Sequence, residues 1–182
     1  LIAILRNRPA LQIGRHQVLD YDSDWLDHAI LRAAREAGHA DFPYVGEIRR
    51  GIIDYLESKC PLKLLAIGEL FERVQRMLRQ IGCDHIADHL RPAAPPVTVS
   101  LIHAAMAAGS GFELGFFETL RAELDELRAL GVEEIDFIGL RESTCILRGV
   151  EKWDRRCEPL LREIEGFLVN WKSRPAGVTQ AA

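Results

Sequence analysis

The stretch LQIGRHQVLDYDSDWLDHAI, residues 11–30, decides the fold of the first half of this chain. Leu11, Ile13 and Val18 stand on either side of a polar turn at Arg15 and His16, the pattern of two short strands in a hairpin. Trp25, Ala29, Ile30 and Ala33 then recur at helical spacing, with Ser23 or Asp22 as the starting cap and Gly38 as the stop. A hairpin feeding a helix N-terminus is a common way to hold a phosphate, because the first N–H groups and the helix dipole both face the anion. The question is whether this hairpin carries the cations that such a clamp needs.

Outward from the hairpin, the first half is helical. YVGEIRRGIIDYLESKC (44–60) repeats the period through Val45, Ile48, Ile52, Ile53 and Leu56, and Pro61 ends it. LKLLAI (62–67) is a short extended piece. GELFERVQRMLRQIG (68–82) puts Leu70, Val74, Met77, Leu78 and Ile81 on one face, and CDHIADHLR (83–91) is a short last helix. The hairpin segment, residues 1–21, is expected to lie over one end of this bundle. The prolines of RPAAPPVTV (91–99) cannot continue a helix, so the chain is divided near residue 94 into domains 1–94 and 95–182.

The second half changes period. VTVSLIHA (97–104) reads as a strand, with FELGFF (112–117) as its partner across the flexible AAGSG. ETLRAELDELRALG (118–131) is an amphipathic helix with Leu120, Leu124, Leu127 and Leu130 on one side and Gly131 as stop. EEIDFIGL (133–140) and STCILRG (143–149) read as two more strands. A last helix runs through Trp153, Leu160, Leu161, Ile164, Phe167 and Leu168, and the tail SRPAGVTQAA is expected to fray. The fold class is therefore α+β: a helical bundle with a β-hairpin lid, then a small antiparallel or mixed sheet with two helices on one face.

Composition narrows the function classes. The 182 residues suffice for a real core, and 48% of them are apolar. The formal charge of −4 leaves no basic footprint for nucleic acid. It divides as 13 basic and 13 acidic residues before the break, and 10 and 14 after it. Cys60, Cys83, Cys145 and Cys157 form no CxxC pair and read as reduced thiols of a cytoplasmic protein. No apolar run reaches the length of a membrane span, and the visible start LIAILRNRPA is not built as a signal peptide.

Residues 9–91 resemble the ATP-cone family, a regulatory nucleotide-binding module of ribonucleotide reductases and of a bacterial repressor of their genes. The order hairpin, helix, helix, extended piece, helix, short helix is that of the family. Its hairpin, V-x-K-R-[DN]-G-R-x-x-x-F-[DS]-x-x-K-[IL], aligns without a gap on residues 11–26, with Tyr21 at the aromatic position, Asp22 at the acid and Leu26 at the aliphatic one. The resemblance implies ATP or dATP with Mg²⁺ as ligand and a homo-oligomer whose assembly follows the ligand. The cations depart from the pattern: Ile13-Gly14 replace Lys-Arg, and Trp25 replaces Lys. Arg8, Arg15, His16 and Arg32, with Arg6 nearby, are the candidate replacements, and Trp25 is either a core or interface anchor or a stacking platform for a base.

Other motifs carry less. His85 and His89 share a helix face at a spacing zinc sites use, with Cys83, Asp84 and Asp88 beside them, but Ile86 stands where HExxH has Glu, and no third ligand is evident. AAGSGFELG (107–115) lacks the Gly-Lys-Ser/Thr of a phosphate loop. Ser143, Thr144 and Cys145 lack a positioned base, with His103 the nearest in that half. Three readings stay open. One is a non-enzymatic regulatory or interaction protein whose phosphate-binding cations are lost. The second is a nucleotide-sensing regulator using replacement arginines. The third is an enzyme with a site in the second half.

Overall fold

The computed structural model describes residues 8–173. Arg6 and the tail from residue 174 lie outside the described residues. The protein is α+β and divides into two units. The first reaches Val97 and takes back Ala129–Glu134; the second comprises Thr98–Arg128 and the chain from Ile135 onward.

The first unit is organised by β1 (Ala10–Ile13). Alternation buries Leu11 and Ile13 completely and exposes Gln12 between them. β1 pairs antiparallel with β2 (His16–Val18), Leu11 opposite Val18 and Ile13 opposite His16. The two-residue connection is Gly14-Arg15. Gly14 takes the first turn position at φ +56°, which suits the twist of the flanking strands and which only glycine adopts freely. On its other side β1 pairs parallel with β3 (Leu64–Ala66), Leu11 opposite Leu65, so the sheet order is β2-β1-β3.

Parallel neighbours need a crossover, which here is α1 (Asp24–Glu36) and α2 (Val45–Asp54). α2 runs on through a wider turn, Tyr55–Lys59, closed by Cys60 N–H donating to the Tyr55 carbonyl at 2.8 Å. α1 buries Trp25, Leu26, Ala29, Ile30, Ala33 and Ala34. α3 (Ile67–Gln80) buries Leu70, Phe71, Val74 and Leu78, and α4 (Asp84–His89) packs on α1 and α3. Ile81, expected on the buried face of α3, lies just past the helix end and is 57% exposed. After the prolines, Ala94 bridges in parallel to Val132, and its N–H donates to the Gly131 carbonyl at 3.1 Å.

The second unit holds α5 (Leu101–Ala108), α6 (Glu113–Ala129), α7 (Leu140–Arg148) and α8 (Cys157–Lys172). β4 (Val97–Ser100) and β5 (Ile135–Ile138) form a two-stranded sheet. Three segments expected as strands are largely helical: the latter part of VTVSLIHA from Leu101, FELGFF from Glu113 onward in the first turns of α6, and STCILRG as far as Arg148 in α7. Among the described residues the unit therefore has four helices rather than two. FELGFF continues backward the stripe of Phe116, Leu120, Leu124 and Leu127, all at most 1% exposed. In α7 the buried Ser143 and Thr144 hydroxyls donate to the Leu140 carbonyl one turn back, at 2.9 and 2.7 Å. That bond satisfies them inside a helix. α5 packs closely on α7, where Gly139, at φ +78°, leaves room for Ile102. No helix among the described residues is long and apolar enough to cross a membrane.

Gly131 fixes the return of the chain to the first unit. Its φ is +85°, and a Cβ there would strike the Pro92 carbonyl. Gly131→Ala is expected to destabilise the protein by more than about 2 kcal/mol, from the left-handed backbone plus displacement of Pro92. The urea midpoint measures it; an unchanged midpoint means the return segment is not held there.

Candidate functional site

The hairpin and the start of α1 are where a phosphate clamp would sit. The side chains at two of its cation positions belong to the core. Ile13 is fully buried because β1 alternates inward at that residue. Trp25, 7% exposed, packs its ring against Phe71 at a centroid distance of 6.1 Å, and its Nε1–H donates to the Asp22 carbonyl at 3.0 Å. Gly14 is the turn.

The replacement cations are engaged separately. Arg8 ion-pairs with Glu57 at 2.6 Å, with only 11% of its side chain exposed. Its guanidinium also donates to the Tyr21 carbonyl and lies over the Tyr21 ring. The Tyr21 hydroxyl donates to the Pro9 carbonyl at 2.9 Å. Burial pushes the Tyr21 phenol up to about 12 against the opposing pull of Arg8. These four residues tie the entry of β1 to the end of α2. Arg32, on α1, ion-pairs instead with Glu133 of the return segment. Arg15 is exposed in the hairpin turn and His16 is half-buried next to it.

A groove of ≈ 220 Å³ does lie beside the start of α1, and Trp25 lines it. Among the described residues its charged and titratable lining is Asp22, Asp24, His28, Glu133 and Glu134, without a lysine or arginine. The positive end of α1 is already met from within: Asp24 and Asp27 occupy its first turn, and the Asp24 N–H donates to Asp22 Oδ1 at 3.2 Å. Asp27 in turn pairs with Arg49 at 2.7 Å. A triphosphate carries about three to four negative charges and needs cationic partners. The residues present do not fit it: four carboxylates face the groove, and of the five nucleotide-site candidates only Trp25 reaches it. Sequence reasoning missed Glu57 and Glu133, the carboxylates that engage Arg8 and Arg32. Glu133 lies 101 positions from Arg32, with no local signal linking them.

The remaining candidates do not converge. His85 and His89 are both exposed, and His89 Nδ1 is 2.8 Å from the His85 carbonyl. Asp88 pairs with Arg79. Among the described residues no three His, Cys, Asp or Glu side chains are grouped to hold a metal ion. In the second unit His103 is exposed on α5. The groups acting on Cys145 are Cys157, Arg141 and Glu142, and burial together with the Cys157 thiol pushes the Cys145 thiol up. A raised thiol is protonated at neutral pH, the opposite of an activated nucleophile.

No family model matches the chain, and neither the curated proteins nor the solved structures contain a match.

The Tyr21 anchor generates a pH prediction. The folded phenol titrates near 12 and the unfolded one near 10, so the contribution of the anchor is whole below pH 10 and is lost as pH rises toward 12. Urea unfolding of the wild type should show this alkaline decline. Tyr21→Phe should cost about 1 kcal/mol at neutral pH, from the lost bond to Pro9, and should decline less steeply above pH 10. Equal alkaline slopes in the two proteins would remove Tyr21 as the cause.

Proposed function

We propose that this chain acts by contact rather than by catalysis: a regulatory or assembly protein whose first unit is an ATP-cone-like module with its phosphate clamp given over to the core. The observation that carries the proposal is the placement of Ile13 and Trp25. Both occupy clamp positions, and both are buried among apolar neighbours. The order hairpin, two helices, strand, helix, short helix supports descent from that module. The charge balance supports loss of the ligand. Each charge-assisted contact to phosphate contributes roughly 1.5–3 kcal/mol, so three missing cations weaken binding by at least about a thousandfold.

The competing reading, a nucleotide sensor using replacement arginines, requires Arg8 and Arg32 to leave Glu57 and Glu133. No described cation in the groove compensates for that, and its four carboxylates repel the ligand. The four cysteines, none in a disulfide, suit a reducing compartment such as the cytoplasm.

Thermal unfolding with and without millimolar ATP, dATP or ADP, each with Mg²⁺, separates the readings. A ligand at about 100 times its dissociation constant adds roughly 2.7 kcal/mol, a shift of several degrees. The proposal expects no shift with any of the three. A clear shift that Arg15→Ala abolishes would restore the nucleotide sensor.

A further inference from the structure

Helix α6 has two faces. One fills the core of the second unit through Phe116, Leu120, Leu124 and Leu127. The other presents Leu114, Phe117, Glu118, Arg121, Ala122 and Asp125 along an open groove of ≈ 420 Å³. These residues recur at intervals of three and four, so they form one continuous stripe. Leu114 is 73% exposed, an apolar side chain with most of its surface in water. Phe117 is half-buried, its ring 5.3 Å from that of Phe167 on α8. The Arg121 guanidinium lies over the same Phe167 ring at 5.7 Å, which holds it beside the stripe. Neither Glu118 nor Arg121 makes an ion pair among the described residues, and both are exposed.

The stripe is complementary to itself in one orientation only. In a twofold contact each residue pair occurs twice. With two α6 helices antiparallel and the axis between residues 119 and 120, Glu118 faces the partner's Arg121 and Arg121 faces the partner's Glu118. The same axis sets the Phe117 ring over the small side chain of the partner's Ala122, again twice. Leu114 falls at the ends, opposite the partner's Asp125. Within each chain that carboxylate already accepts the Trp171 indole N–H at 3.1 Å, so part of its charge is met locally. A parallel pairing would instead set glutamate against glutamate and arginine against arginine, which is repulsive.

We propose that this chain self-associates through the outer face of α6, a second copy packing antiparallel across it. This rests on the reading of the protein as one that works by assembly, and it supplies the partner. The apolar pair Leu114 and Phe117 provides the surface removed from water; Glu118 and Arg121 choose the partner and its direction.

Sedimentation velocity of the full chain from about 1 to 100 µM tests it, a range that brackets micromolar association. The wild type should move from monomer to dimer. Glu118→Arg and Arg121→Glu should each weaken the dimer by roughly tenfold or more, since each sets like charges together twice. The double variant Glu118→Arg/Arg121→Glu should regain wild-type association, because the pair is restored with its sign reversed. Leu114→Asp should weaken association without rescue. All these positions are exposed or half-buried, and circular dichroism checks that each variant folds. A wild type that dimerises unaffected by the single reversals overturns the α6 face and leaves assembly standing on another surface. A wild type that stays monomeric throughout overturns self-association. The broader reading stands or falls separately, on the nucleotide shift.

Discussion

The first unit depends on the burial of one short strand on both of its edges. β1 exchanges hydrogen bonds with β2 on one side and β3 on the other, and Leu11, Ile13 and Leu65 form the dry layer beneath it. Because β1 and β3 run parallel, the chain between them must cross over, and that crossing is the helical pair α1 and α2. A lysine at position 13 would have to leave that layer or be buried as a charge, either of which costs several kcal/mol. Position 13 can therefore serve the core or carry a charge toward a ligand, and in this chain it serves the core.

Much of the first unit was legible in the sequence, and the reason is length. α1, α2 and α3 are long enough for the 3.6 period to repeat, and the stops of the first two, Gly38 and Pro61, are local signals. The second unit was harder. FELGFF and STCILRG are short and rich in aromatic or β-branched residues, and such runs look alike in strand and helix. What decides them is nonlocal: Phe116 continues a leucine stripe that lies downstream, and Gly139 and Gly149 are helix ends rather than strand turns, both with left-handed backbone. Thr144 weighs toward a strand and Ser143 toward a turn by propensity, yet both hydroxyls are satisfied one turn back.

The site was legible in its residue types and not in its pairings. The absence of lysine and arginine at positions 13, 14 and 25 could be read directly. That Arg8 answers to Glu57, and Arg32 to Glu133, could not, because ion pairs between distant segments follow from the fold and leave no spacing behind. The same holds for the groove beside α1. Asp22 and Asp24 look like ordinary helix-start residues, and only the return of Glu133 and Glu134 to the first unit turns them into a negatively lined surface.

That return has a consequence for inheritance. The first unit is not one continuous piece of chain: it closes with six residues, Ala129–Glu134, that begin at the last residue of α6. A fragment ending at Val97 would carry Arg32 without its carboxylate and Ala94 without the backbone it bonds to. The unit cannot be exchanged between genes as a cassette with a single cut, and neither can the segment from Thr98 to Arg128 be dropped without leaving the two ends to be rejoined. Gly131, though it follows α6 in the chain, belongs to the first unit, where its backbone lies against Pro92.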